Sequence, residues 1–600
     1  MNKPLTKEIL FKMFDGLRNH SLGDLEALTI SCQILAWAKL SQDSKLPEEL
    51  LFNDSVLTFN GSDLMNQFLQ LSRLDSLDKN KDAFICKSII DNRNSLSGVL
   101  RLAFDLKNKY KIDELEIPRC LSEILSDDRR NGEFITPVEV IDLMINLAGN
   151  LTDKRIYCPY DYLSQIASTS EILGAKASIE NIFFSAFPWL MNIFCGANVT
   201  ISISDPIRNP GFIVANKLEK FDVSISIPPF NVKYGFKDEP DWFNRFPEKT
   251  SSGNVLIIRH LLAQTTEKII VAVSSSVLFS AGAEKSLRED LLNNRQVEAV
   301  ISLPPALLSN TSIPLMILVL DLRGRSDTVT FIEGNSSQFF LKDGKGRSRL
   351  VNWELIVENL NYGQDEAVVL RVPVEQILAN NSFLQVSDYT ITPEKKKINR
   401  LLSSKQNLPL DRLVKFIRSP IKHKSTDNIE PERVKEVVEI NVSDFPEYGY
   451  IQNPNRIVTI DRDSNIDVDT FLKPGDIIIA IKASTGKVAI VSDLPNDPKS
   501  RPWIVNQSCL ILRSTKKINS KVLFMYLSSA VGQNLLQSMS SGSTISMIQL
   551  ARLKELAVLI PSSEEEDNIV QDFDRMVELQ SQIEQLRQEQ KSIGNNHWGW

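Results

Sequence analysis

The 600-residue chain holds six cysteines and four histidines, and their spacing argues against a metal centre. Cys32, Cys86, Cys120, Cys158, Cys195 and Cys509 form no CxxC pair, and His20, His260, His423 and His597 stand far apart. Neither set has the ligand rhythm of a zinc site. No GxxxxGK[ST] phosphate loop occurs, so any cleavage or translocation must come from another chain. Two constellations remain. One lies just after short apolar runs: Pro159 to Gln165, Asp205, and Pro228-Pro229-Phe230. The other is basic, with Lys473, Lys482, Lys487 and Arg513 around Thr485. Gly475, Gly486 and Gly542 accompany it, where tight turns let backbone amides approach a partner. Such cations suit phosphate oxygens. Taken singly, each reads more simply as a solvated surface residue.

The elements that must position these groups change along the chain. Residues 1–125 carry apolar side chains at helical spacing (Leu25, Ile30, Ile34, Leu35, Trp37) and few β-branched alternations, which predicts a small helical bundle. From 126 to 400, apolar β-branched runs at 199–203, 221–227, 269–273, 297–301 and 315–320 alternate with helical patterns at 182–194 and 284–293. That alternation predicts an α/β domain with a mainly parallel sheet, whose ligand sites lie at the strands' carboxyl ends. A Pro-Glu-Lys-Lys-Lys run at 393–397 marks a boundary. Strands at 477–481, 487–491 and 509–512 and a helix at 521–537 then predict a mixed α/β domain over 401–560. From 561 to 600, Ile569, Phe573, Met576, Leu579, Ile583 and Leu586 recur in steps of three and four, behind an acidic first turn. This predicts a long amphipathic or coiled-coil helix.

Composition excludes several classes. With 42% hydrophobic and 24% charged residues the chain is neither disordered nor fibrous. Lys+Arg 68 against Asp+Glu 75 leaves −7, so binding to nucleic acid requires a local basic face rather than global charge. Dispersed cysteines fit a reducing compartment. The amino terminus has no apolar leader, and the longest apolar run, 313–320, is interrupted by Pro314 and too short to span a bilayer. A cytoplasmic protein without membrane contact is expected.

The segment Gly132-Glu133-Phe134-Ile135-Thr136-Pro137, followed by Val140, Leu143 and Met144, resembles the GxFxTPxxVxxLM segment of type I restriction-modification methylation subunits, which methylate adenine N6 in DNA. Gly253-Asn254-Val255, Leu303-Pro304-Pro305 and Asn310-Thr311-Ser312-Ile313-Pro314 follow in the family's order. The resemblance covers roughly residues 132–321. It implies a Rossmann-like methyltransferase fold with an S-adenosylmethionine site, whose equivalent positions here are Phe134, Thr136, Pro137, Cys158, Tyr162 and Asp205. The catalytic motifs depart from the family. In its DPxxGSGG turn, Cys158 replaces the acid, Tyr162 stands at a glycine position, and Ser164 and Gln165 occupy two others. In its NPPF tetrapeptide, read here as Ile227-Pro228-Pro229-Phe230, Ile227 has no acceptor for the target amine. Losing one such oriented contact costs about 3 kcal/mol in the transition state.

Residues 405–590 resemble the target-recognition domain of type I specificity subunits. The carriers are Gly475-Asp476, Thr485-Gly486-Lys487-Val488-Ala489, Asn506-Gln507 and Gly542-Ser543-Thr544, in that order. The chain therefore resembles a fusion of a degenerate methylation subunit with one recognition domain. The resemblance implies a double-stranded DNA-binding subunit of a restriction-like, antiviral assembly, with no cofactor and the methyltransferase fold as scaffold. One recognition domain with an unpaired helix implies a homodimer or other subunits, with a nuclease or translocase in another chain. The alternatives are an active S-adenosylmethionine-dependent adenine-N6 methyltransferase, and an interaction protein that no longer touches DNA.

Overall fold

A computed structural model describes residues 3–18, 22–86, 93–110, 112, 117, 120–121, 124, 136–235, 241–308, 314–342, 347–363, 365–390, 393–418, 434–451, 454–461, 468–492, 501–541 and 547–595. Phe134, the segment 310–313 and Gly542–Thr544 lie outside them. The chain forms two units, Met1–Thr390 and Ile391–Trp600.

The first unit opens with helices. Lys3–Arg18, Asp24–Gln42 and Arg93–Lys109 bury an apolar core around Trp37, whose indole donates to the Leu50 carbonyl at 2.8 Å. This core is shared with the later helix Phe187–Cys195. The sequence pattern places that helix from 182, but Pro188 fits only a first turn, so it begins at Phe187.

Nine strands form one sheet: β1 (Arg155–Pro159), β2 (Lys176–Asn181), β3 (Thr200–Ile203), β4 (Phe221–Ser226), β5 (Thr265–Val273), β6 (Val297–Ser302), β7 (Met316–Asp321), β8 (Thr328–Glu333) and β9 (Val369–Pro373). Their order is β9-β8-β6-β7-β5-β4-β1-β2-β3. Neighbours from β3 through β5 are parallel, β7 runs antiparallel between β5 and β6, β8 is parallel to β6, and β9 pairs antiparallel with β8. β7 and the carboxyl half of β5, residues 269–273, are buried on both faces, which is why they read as continuous apolar runs. Strand order reverses between β1 and β4, which makes their carboxyl ends the topological switch point where an open α/β sheet binds ligands.

In the second unit, a four-stranded antiparallel sheet pairs Val414–Ile417, Cys509–Ser514, Ile477–Ala480 and Val488–Ile490 in that order. A three-stranded sheet places Val434–Ile440 between Ile457–Asp461 and Trp503–Val505. The single helix expected over 521–537 is two, Ser520–Ser528 and Ala530–Ser538, because the Ser529 side chain caps the second by accepting from Gly532 N. The terminal helix Ser563–Asn595 opens on a reciprocal cap, in which Ser562 N donates to Glu565 Oε2 at 2.9 Å and Glu565 N reaches Ser562 Oγ. Its apolar stripe has two fates. Phe573 is fully buried, edge-on to Tyr450 and Phe524, with Ile569 and Met576 beside the same core. Leu579, Ile583 and Leu586 are exposed.

Candidate functional site

Strand β1 ends at Pro159 and β4 at Ser226, and the Ser226 hydroxyl donates to the Pro159 carbonyl at 3.0 Å, fixing the two ends together. In front of them lies a cavity of about 270 Å³, lined by Thr136, Tyr160, Tyr162, Ile182, Ile227 and Tyr234, among others. The turn leaving β1 holds Tyr160 at φ +68° and Ser164 at φ +56°. Both are left-handed positions that favour glycine. The backbone thus keeps a glycine turn's course while carrying side chains along it.

Asp161 sits inside this turn. Its carboxylate accepts from the amides of Gln165 (3.0 Å) and Ala167 (2.9 Å), at the start of the helix Gln165–Ile172. The positive end of that helix, a ready anion site, is therefore filled by the chain's own carboxylate. Burial pushes the Asp161 carboxyl up to about 6, against the opposing pull of the amides of Ala167, Gln165 and Ile166. The end of β2 braces the turn. Asn181 Nδ2 donates to the Asp161 carbonyl at 3.3 Å, and Ser185 Oγ to the Tyr162 carbonyl at 2.9 Å.

At the end of β4, Ile227 is half-buried and lines the cavity, Pro228 is buried, and Pro229 is exposed at the rim. Phe230 packs partly against the core on one face of the sheet. Gly253 N donates to the Val232 carbonyl at 2.8 Å, tying the segment after the tetrapeptide to the helix Gly253–Gln264. A Cβ on Gly253 would lie 2.5 Å from that carbonyl oxygen, so only glycine fits.

The expected positions therefore divide. Thr136, Tyr162 and Ile227 meet at the cavity, and Pro137 immediately precedes the helix Val138–Ala148. Cys158 is fully buried in the core, where burial raises its thiol well above the ordinary range. Asp205 caps its own turn, accepting from Ile207 N at 2.9 Å and Arg208 N at 3.2 Å.

A buried network ties β1, β2 and the helix Gly253–Gln264 together. Arg245 Nη1 meets His260 Nδ1 at 2.9 Å, His260 Nε2 meets the Tyr157 hydroxyl at 3.0 Å, and that hydroxyl donates to Glu180. Because guanidinium only donates, Nδ1 accepts and the imidazole carries its proton on Nε2. Burial and the Arg245 charge hold His260 well below its ordinary pKa, so it stays neutral. Arg245 also donates to the carbonyls of Pro206 and Ile207, just beyond β3, and pairs with Asp241. This pins the loop bearing Trp242, a side chain 84% exposed. Spacings of 15 to 103 residues leave no local signal for this chain of contacts.

In the second unit, the loop between the strands Ile477–Ala480 and Val488–Ile490 carries Lys482, Thr485 and Lys487. Both lysines are exposed and Thr485 is half-buried. Ala483 (φ +63°) and Gly486 (φ +84°) turn the loop, and Gln533 Nε2 holds the Gly486 carbonyl at 3.0 Å. Arg513 is engaged within its own unit. Its Nε and Nη2 grip both oxygens of the buried Asp476 at 2.8 and 2.7 Å, and further donors reach the carbonyls of Asp469 and Phe471. This fork fastens strand to loop. Lys473 pairs with Asp469 at 2.9 Å, as does Lys415 at 2.6 Å. The two ammonium groups hold the Asp469 carboxyl well below its usual range. A groove of about 720 Å³ is lined by Lys516, Lys517 and Lys521, of which the first two adjoin in sequence. Among the described residues no three His, Cys, Asp or Glu side chains gather as a metal site, and no helix is long and apolar enough to cross a membrane.

Comparison with known proteins gives these sites a family context. Residues 186–398 match the N-6 DNA Methylase family, and residues 427–592 match the type I restriction modification DNA specificity domain. The turn at 159–165 precedes the first match, whereas Ile227 lies within it. The methylase subunit of a type I restriction enzyme from Mycoplasma pneumoniae is 26% identical over 300 residues, covering 45% of this chain and 55% of that protein. One from Methanocaldococcus jannaschii is 26% identical over 301 residues, covering 45% and 51%. The chain spans about half the length of the curated relatives it matches. The fold is also that of a type I methyltransferase subunit from Streptococcus thermophilus, with TM-score 0.56 and 16% identity over 65% of this chain and all of that one. A modification subunit from Vibrio vulnificus gives TM-score 0.50 and 15% identity over 63% and 93%. This chain thus joins an N-6 DNA methylase domain, on a methyltransferase fold, to a type I restriction-modification DNA specificity domain.

Proposed function

We propose that the protein is the double-stranded DNA-binding subunit of a restriction-modification-like antiphage complex in the cytoplasm, with its methyltransferase fold retained as a scaffold. The observation that carries this reading is the switch point itself. Ile227 offers no acceptor where a target amine would need one, and Asp161 already occupies the helix amides that an incoming carboxylate would use. S-adenosylmethionine, which brings a carboxylate and a charged sulfonium, does not fit that arrangement. Its site is lost, and no step of transfer runs through it.

Recognition then rests with residues 401–560, behind a helical segment 1–125 and a methyltransferase-like segment 126–400, with 561–600 as the assembly helix. Lys482 and Lys487 on their pinned loop are the phosphate contacts, with Thr485 between them, and Lys473 is a weaker one because Asp469 neutralises it. Exposed Leu579, Ile583 and Leu586 pair antiparallel with the same residues of a second copy, and each is worth roughly 1.5–3 kcal/mol on full burial. Cleavage or translocation belongs to a further chain.

Duplex affinity measured from low to moderate salt tests this reading. A steep linear fall of log K with log salt is expected for several phosphate contacts. A flat response, or no binding at low salt, would remove it and leave the interaction-protein alternative. Light scattering of the full chain against a Leu579→Glu, Ile583→Glu, Leu586→Glu variant tests the dimer, which fails if both are monomers at micromolar concentration.

A further inference from the structure

We infer that a cavity between the amino-terminal helices and the nine-stranded domain binds a small organic cation, with a flat apolar body, a hydrogen-bond donor at its inner end and an ammonium group at its outer end. This cavity shares no lining residue with the one at the switch point, and the inference does not rest on the DNA-binding reading. It holds about 290 Å³, just under the usual range for small-ligand pockets of about 300–1,000 Å³. Its walls come from the first turns of the helix Asp24–Gln42, from Ile85 and Cys86, and from the segment 184–187 that enters the helix Phe187–Cys195. Leu25, Ile30 and Phe187 line it with hydrocarbon. Phe184 stacks on Trp189 with ring centroids 5.4 Å apart, which holds that wall in place. Such walls suit an apolar, flat body.

The inner end is set by Gln33. Glu26, Thr29, Ile30 and Gln33 fall on one face of their helix, and all four line the cavity. Gln33 is fully buried. Its Nε2 donates to the carbonyls of Ala83 at 2.8 Å and Ile85 at 2.9 Å, which uses both amide hydrogens. Turning the amide over would set Oε1 against those two carbonyl oxygens, so its orientation is fixed by its neighbours. Oε1 is left buried without a hydrogen-bond partner. An acceptor unsatisfied in the interior is penalised, and a ligand O–H or N–H arriving from the cavity removes that penalty.

The outer end is set by charge. Asp24 and Glu26 bring two carboxylates to the lining and are half-buried, nearer to solvent than Gln33. None of the described residues lining the cavity is Lys, Arg or His. Two helices begin here, and the amino end of each acts as about half a positive charge. Two full carboxylates exceed that sum. The mouth therefore favours an ammonium group and opposes an anion.

Tyramine carries the three features in line: a phenol hydroxyl, an aromatic ring and an ammonium group. Phenethylamine lacks the hydroxyl, and 4-hydroxyphenylacetate replaces the ammonium with a carboxylate. The test titrates all three into the full-length protein by saturation-transfer NMR. Tyramine should bind, phenethylamine about fivefold more weakly for want of one hydrogen bond, and 4-hydroxyphenylacetate not measurably. Glu26→Gln, a change at a half-buried position on the cavity's outer side, should weaken both amines by about threefold and leave the preference for the hydroxyl intact. Hydrogen exchange under saturating tyramine should slow in peptides covering 24–33 and 182–189 and stay unchanged in the second unit. Equal affinity for tyramine and phenethylamine in wild type, tighter binding of the carboxylate, protection confined to other peptides, or no binding of tyramine at millimolar concentration would each overturn the inference, whether or not the variant folds.

Discussion

Replacing Arg513 with alanine separates a structural arginine from a DNA contact. The guanidinium makes a two-pronged pair with Asp476, whose side chain is 2% exposed, and closes the segment 469–476 through the carbonyls of Asp469 and Phe471. Alanine leaves the Asp476 carboxylate buried with one remaining partner described, the amide of Lys473 at 2.8 Å. Removing one member of a buried pair costs about 3–5 kcal/mol, more than a hundredfold in the local opening equilibrium. Hydrogen exchange of the full-length protein reads this directly. Peptides covering 469–480 and 509–514 should exchange over a hundredfold faster in Arg513→Ala, while those from the nine-stranded sheet stay at wild-type rates. Arg513→Met combined with Asp476→Leu should restore most of the protection, since a buried ion pair exchanged for apolar groups is often neutral. Wild-type exchange together with a uniform loss of duplex affinity would place the guanidinium on a phosphate and refute the reasoning.

Lys482→Ala and Lys487→Ala should each weaken duplex binding evenly across sequences and lower the salt slope by about 1, as read by titration at several salt concentrations. Gly253→Ala forces a Cβ to 2.5 Å from the Val232 carbonyl, so the first unit should lose roughly 1–3 kcal/mol in a denaturant melt; an unchanged midpoint would show the segment after the tetrapeptide yields freely. Asp161 titrates near 6 rather than 3.8 because burial penalises its charge. Its folded-state pKa is raised, so its contribution is most favourable below about pH 4 and is lost as pH climbs through about 6, a change of up to ~3 kcal/mol. Relative to Asp161→Asn, wild type should therefore lose stability between pH 4 and 7; a constant gap, or one moving the other way, would mean the helix amides outweigh burial.

Much of the scaffold was legible because its forces are local or periodic. The runs at 221–227, 297–301 and 315–320 fall on β4, β6 and β7 within a residue: β7 is an almost unbroken apolar run, as a strand covered on both faces should be, while β4 and β6 keep β-branched residues between Asp222, Ser224 and Glu298. Cys158, Tyr162 and Ile227 could be singled out equally early, because residue type is read directly from the sequence and Pro159 and Pro228 mark their places. What stayed hidden depends on partners remote in sequence. Nothing near Arg513 announces Asp476, 37 residues away, so its fork was not legible in the sequence. Nothing near Asp161 in composition announces that its carboxylate caps the helix. The terminal stripe looked uniform because periodicity records which face is apolar, not how far a neighbouring core extends along it. That core reaches Met576 and stops before Leu579.

Under the proposed function a methyltransferase fold persists here without transfer chemistry while the chain still engages DNA. Incubating the full-length protein with labelled S-adenosylmethionine and DNA from a methylation-free host, under salt at which duplex binding is saturated, tests it most directly. Bound DNA and no label in N6-methyladenine above a protein-free control are expected. Label appearing at adenine N6, in proportion to protein and lost in Pro228→Ala, would contradict it.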